Sequence, residues 1–158
     1  MESENKLLIE KFYSSFAKSD IEGMLECYHP EIQFQDPAFG LLKGEEAKSM
    51  WRMLIERGKG DIKISFDQVK ADALKGSANW VAEYLFSQTN RRVVNKISAV
   101  FEFKDGKIFR HTDTFDMWKW SSQALGMTGS LLGWSSFLKN KVRKTAKTSL
   151  QKYMELKK

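Results

Sequence analysis

A single cysteine, Cys27, in a chain of 158 residues excludes an internal disulfide and suits a reducing compartment. No stretch approaches the roughly 20 apolar residues of a membrane-spanning helix. The N-terminus carries Glu2 and Glu4 where a secretory leader would carry positive charge. The expected location is therefore cytoplasmic. Two histidines far apart in sequence, with no HxxxH or CxxC spacing, give no zinc pattern. GxGxxG, P-loop and serine-nucleophile motifs are missing too. Neither a metal nor another cofactor is expected.

Acidic residues are scarce in one place. From Phe137 to the end there are eight Lys/Arg and one acid, Glu155. The first 136 residues hold 18 basic and 19 acidic side chains, so the net charge of +6 originates in the tail. A nucleic-acid reading drawn from the overall charge would misdescribe the body. Aromatic residues, by contrast, make up 13% of the chain, a richness that suits a fold lining a cavity.

Apolar spacing predicts helices over 5–18, with Leu8, Phe12 and Phe16 on one stripe, and over 45–57, with Ala47, Met50, Trp51, Leu54 and Ile55. A short helix between them starts at Ser19 or Asp20 and stops before Pro30. Ile32 to Gln35 reads as a short strand ended by Asp36-Pro37. From Ile62 the period changes to 2, and three longer strands follow at about 77–88, 92–103 and 107–116. Residues 116–125 read as a short helix, Gly126, Gly129 and Gly133 mark a loop, and a last helix starts near Ser136. The fold class implied is α+β: a cone-shaped half-barrel, N-terminal helices packed on a curved, mostly antiparallel sheet, plus a C-terminal helix. Residues 1–126 form the cone domain, and 127–158 form a loop and a basic helix docked on it.

Three-residue turns at Thr89-Asn90-Arg91 and Lys104-Asp105-Gly106 would set the strand register. One sheet face would then carry Val81, Glu83, Leu85, Asn95, Ile97, Ala99, Phe101, Phe109, His111, Asp113 and Phe115. The other would carry Trp80, Tyr84, Phe86 and Val100 among polar residues. The first face, mostly apolar, is expected to meet the helices and enclose a pocket. A two-residue second turn would slip this register by one. A carboxylate among apolar neighbours favours its neutral form, which is how a proton-transferring group is made. Asp113, two residues from His111 on one strand face, is the leading candidate. His111, Asp36 and Glu83 complete the catalytic set, and Phe12, Phe34, Trp51, Val81, Asn95, Ala99, Phe101, Phe115 and Trp118 are expected to line the pocket or its rim. Each has a plainer reading: Asp113 as a hydrogen-bonding anchor, His111 as a satisfied core residue, Asp36 as a turn former, Glu83 as a partner of Lys96. On the second face, Trp80, Tyr84, Phe86 and Val100 would form an apolar patch that pairs two copies into a homodimer.

The segments FYSSFAKSDIEG (from Phe12), IQFQDP (from Ile32) and FEFKDGKIFRHTDTFD (from Phe101) resemble the nuclear transport factor two-like superfamily. That superfamily includes SnoaL-like polyketide cyclases, limonene epoxide hydrolases and ketosteroid isomerases. The resemblance covers about residues 5–125 and implies the cone fold rather than one reaction. In the isomerase pattern Asp36 matches the general base, but the oxyanion-binding tyrosine falls at Phe12 and the proton-donating aspartate at Ala99. Neither can donate a hydrogen bond, which argues against steroid isomerisation by that route. In the epoxide hydrolase pattern Asp113 matches one aspartate and Glu83 can stand for the other. The bridging arginine falls at Val81, the tyrosine at Phe34 and the asparagine at Asp36. The SnoaL-like cyclase pattern, a single acid–base aspartate at Asp113, is the one this chain does not contradict. The resemblance thus implies a small-molecule pocket acting on an apolar carbonyl, enol or epoxide, as an isomerase, cyclase or hydrolase. The alternative is a non-catalytic ligand-binding or protein-interaction module of the same fold. The basic tail helix has three readings: a solvated face over a docked apolar stripe, which leads, a helix on a membrane surface, or a nucleic-acid contact.

Overall fold

The computed structural model describes residues 3–58 and 60–157; Met1, Glu2, Lys59 and Lys158 lie outside the described residues, Glu2 of the N-terminal acid pair among them. Ser3 caps helix α1 (Glu4–Ala17) by accepting the Lys6 N–H, and α1 buries Ile9, Phe12, Tyr13 and Phe16. Asp20 caps the short α2 (Ile21–Leu25) through the Gly23 N–H. Helix α3 (Glu45–Gly58) buries Ala47, Met50, Trp51 and Met53.

The strands are β1 (Tyr28–Asp36), β2 (Gly40–Lys43), β3 (Ile62–Ala71), β4 (Lys75–Phe86), β5 (Arg91–Lys104) and β6 (Lys107–Thr114). They form one mixed sheet in the order β2-β1-β6-β5-β4-β3. The β1–β6 pair is parallel and the other four are antiparallel, so the α+β, mostly antiparallel architecture holds. β1 is longer than the sequence suggested. It begins at Tyr28 and tolerates Pro30, because its pairing with β6 breaks between Tyr28 and Gln33.

The two hairpins decide which side chains meet the helices. At β4–β5, Phe86 pairs with Arg91 across a four-residue loop, Ser87 to Asn90, and Trp80 pairs with Ile97. Relative to a three-residue turn, that pairing is shifted by an odd number, so every β4 side chain changes face. Ala78, Trp80, Ala82 and Tyr84 point inward, while Val81, Glu83 and Leu85 point outward. At β5–β6, Lys104 pairs with Lys107 across the two-residue turn Asp105-Gly106, whose residues have φ of 54° and 74°. A bulge between Glu102 and Phe103 then adds a second one-residue shift and restores the parity. Phe101 therefore faces His111 and Ala99 faces Asp113, all on the inner face. Phe109 is the bulge residue and leaves that face for His29 and Lys104.

Three of the four residues expected on the outer face are thus inside or against a core cluster: Trp80, Tyr84 and Phe86. Val100 alone stands outward, 55% exposed. The patch expected to pair two copies is not formed by those residues.

After β6, Asp116 caps α4 (Met117–Leu125) through the Trp118 and Lys119 N–H groups. The stretch expected to be a loop contains a further helix, α5 (Met127–Leu132). A β-carbon at Gly129 would collide with the Ser121 carbonyl, so glycine here permits α5 to press on α4. Helix α6 (Ser136–Leu156) docks on the body through Leu138, Leu150 and Tyr153, all buried, with Val142 against Trp120 and its neighbours. No helix among the described residues is long and apolar enough to cross a membrane.

Candidate functional site

β6 alternates Arg110, Thr112 and Thr114 outward with His111 and Asp113 inward, and β5 closes over them. His111 is fully buried and Asp113 is 4% exposed. A hydrogen-bonded chain runs through them. Trp51 Nε1–H donates to Tyr28 Oη at 2.9 Å, and Tyr28 Oη lies 2.8 Å from His111 Nδ1. A carboxylate only accepts, so Nε2–H donates to Asp113 Oδ1 at 2.9 Å, and Nδ1 of the neutral ring then takes the Tyr28 proton. Trp80 Nε1–H donates to the same oxygen at 3.2 Å. Asp113 Oδ1 thus holds two donors, whereas Oδ2 takes no hydrogen bond from the described residues.

Rings fill the space around His111. Trp51 stacks on it with an interplanar angle of 17°, Phe101 lies at 4.6 Å between centroids, and Phe12 and Phe34 meet it edge-on. Tyr13 is fully buried nearby, and its hydroxyl has no partner among the described residues. Burial first, then the charge of Asp113, push the Tyr13 phenol well above its usual range.

Asp36 ends β1. Its Oδ1 accepts the Phe39 N–H at 2.6 Å, so it does form the turn that its position before Pro37 suggests. Its carboxyl is nonetheless raised to about 7, chiefly by burial, with Asp113 adding repulsion. Backbone N–H groups of Phe39 and Ala38 and the charge of Arg143 oppose the rise. Arg143 comes from α6 and donates to the Pro37 carbonyl at 3.3 Å. The tail helix therefore reaches the rim of the site.

Of the sequence-derived set, the structure brings together Asp113, His111 and Asp36 with Phe12, Phe34, Trp51, Ala99 and Phe101. Asn95 is buried on the same face, opposite Ala82, and Phe115 is half-buried between the two apolar clusters. Three residues are elsewhere. Glu83 points outward, 4.0 Å from Arg92 rather than beside Lys96, because β4 is turned over. Val81 faces outward for the same reason. Trp118 is 52% exposed, its indole donating to the Ser130 carbonyl of α5. Sequence reasoning missed Tyr28, Trp80 and Tyr13. The Trp80 signal was present: Ala78-Trp80-Ala82-Tyr84 is the uncharged alternation of β4, and its complement contains Asn79 and Glu83. Two surface clefts, of about 420 and 330 Å³, lie at other places, and neither is lined by Asp36, His111 or Asp113. Among the described residues no three His, Cys, Asp or Glu side chains are grouped to hold a metal ion.

The chain belongs to the SnoaL-like domain family, whose model matches residues 9–111. No curated protein matches the chain. Among solved structures, TerC co-crystallised with polyporic acid superimposes with a TM-score of 0.67 at 18% identity, over 78% of this chain and 99% of that one. A putative polyketide cyclase from Xanthomonas campestris gives 0.60 at 17%, over 74% and 93%. An LEH-like epoxide hydrolase from M. tuberculosis gives 0.61 at 18%, over 82% and 96%. At these identities the likeness is one of fold.

Proposed function

We propose that the protein binds a small apolar ligand and moves a proton on it, with Asp36 and Asp113 as the working carboxyl groups. One observation carries this reading. The two carboxyls feel each other but sit in unequal environments, Asp36 raised to about 7 and partly open, Asp113 anchored by His111 and Trp80. A group titrating near neutrality can both take and return a proton. The unpartnered Tyr13 hydroxyl would donate to the ligand oxygen on which charge develops. An enolisable carbonyl compound fits: Asp36 takes the proton α to the carbonyl, the enolate oxygen accepts from Tyr13, and the proton returns to carbon or oxygen. The relatives' names, polyketide cyclase and epoxide hydrolase, support acid–base chemistry without fixing which. The single cysteine, buried and free, supports a cytoplasmic setting.

A second reading, a non-catalytic binding module, is favoured by how fully aromatic rings occupy the surroundings of His111. Exchange of α-protons for deuterium, followed by NMR over a panel of apolar ketones, separates the two. Polyporic acid, with tryptophan fluorescence as the readout, serves as a binding probe. The proposal expects wild-type exchange that slows at least about a hundredfold in Asp36→Asn and in Asp113→Asn. Tyr13→Phe should slow it about a hundredfold without lowering the melting temperature, since that hydroxyl makes no hydrogen bond among the described residues. Binding without exchange would favour the module. Neither binding nor exchange would contradict both readings.

A further inference from the structure

Between Asp116 and Glu155 the chain has no acidic residue and seven Lys/Arg. The same segment carries much of the exposed apolar surface of the described chain. Met127 is 79% exposed, Leu131 64%, Trp134 67% and Phe137 73%, with Trp118 beside them. These side chains are contiguous. Trp118 Nε1 reaches the Ser130 carbonyl of α5, Trp134 Nε1 reaches that of Leu131, and Phe137 opens α6 three residues further on. Along α6, Phe137, Lys141 and Lys144 follow at i, i+4 and i+7, on the face opposite the docked Leu138, Val142 and Ala146. No α6 lysine makes an ion pair among the described residues.

We infer that this ledge, formed by α5 and the first half of α6, docks on an anionic lipid surface. Exposed Trp, Phe, Leu and Met beside an uninterrupted set of cations meet both demands of such a surface. The rings and aliphatic chains enter the headgroup boundary, and the lysines stay with the lipid phosphates. A second copy is a poor occupant, because pairing two ledges would bring two all-cationic sets together. A nucleic acid would use the cations and stack on the rings but leave Met127 and Leu131 in water. The inference is independent of the chemistry proposed for Asp36 and Asp113, since of this segment only Arg143 reaches the rim of that site and no variant below touches it.

Flotation of the full chain with vesicles tests it, comparing phosphatidylcholine alone with phosphatidylcholine containing phosphatidylserine, at low and high salt. The chain should float with the anionic vesicles only, and less at high salt. Trp134→Ser with Phe137→Ser, and separately Lys141→Glu with Lys144→Glu, should each cut the bound fraction at least about tenfold. Their circular dichroism melts should stay close to wild type, since Phe137, Lys141 and Lys144 are exposed and Trp134 gives up a single exposed hydrogen bond. Several outcomes would overturn the inference. One is no flotation of wild type at low salt, and another is equal flotation with neutral vesicles, either of which decides the matter even if a variant fails to fold. A third is loss in the lysine variant alone. A fourth is a wild-type dimer in sedimentation that the apolar variant dissolves, which would give the ledge to a second copy. A fifth is a short RNA retained without any vesicle binding and released by either variant.

Discussion

Asp36 keeps its proton in the folded chain to about pH 7 because its surroundings solvate the anion poorly and Asp113 repels it. The unfolded chain releases the same proton near the ordinary carboxylate value of about 4. Between those limits the folded state binds the extra proton, so stability should fall as pH rises from about 4 to about 7 and level off above. Thermal melts across that range should show the decline in wild type and lose most of it in Asp36→Asn. A wild-type melting temperature that instead rises through this window, with Asp36→Asn unchanged, would mean that Asp36 is solvated after all. At this scale the sequence was informative for Asp113, His111 and Asp36, whose types and neighbours suggest their chemistry. It was silent on Tyr28, because the strand containing it breaks its pairing at Pro30 and shows no alternation there.

At the level of elements, helices and strands could be read from periodicity, but register could not. Two hairpin turns each departed from the assumed length, with opposite consequences. The β5–β6 turn is a residue shorter than assumed, and the Glu102/Phe103 bulge undoes the slip, so His111 and Asp113 stay inward. The β4–β5 loop has no compensating bulge, so Glu83 and Trp80 exchange faces. Turn length depends on how the loop residues pack, as when Thr89 bonds the Ala124 carbonyl of α4, and no local pattern encodes that. Helix α6 is likewise an integral element, with Leu150 2% exposed and Tyr153 8% in the main core. Ending the chain after Gly133 should lower the melting temperature and expose apolar surface to a hydrophobic dye. Leu150→Ala alone should cost about 2–5 kcal/mol in denaturant unfolding. Truncation without effect on the melt would show that the helix is not docked.

For the whole molecule, the order of helices followed by a strand meander carried the fold, and the family match over residues 9–111 agrees with it. Pairing of two copies through the outer sheet face is a proposal that now rests on Leu85, Val94 and Val100, each at least 40% exposed. The proposed chemistry depends on two carboxyl groups, one at the end of β1 and one in β6, acting on each other across the inner face. Titration of selectively labelled aspartate carboxyl carbons by NMR tests this most directly, in wild type and in Asp113→Asn. Asp36 should titrate near 7 in wild type and move down when the charge of Asp113 is removed. An Asp36 carboxyl that titrates near 4 in both proteins would contradict the account.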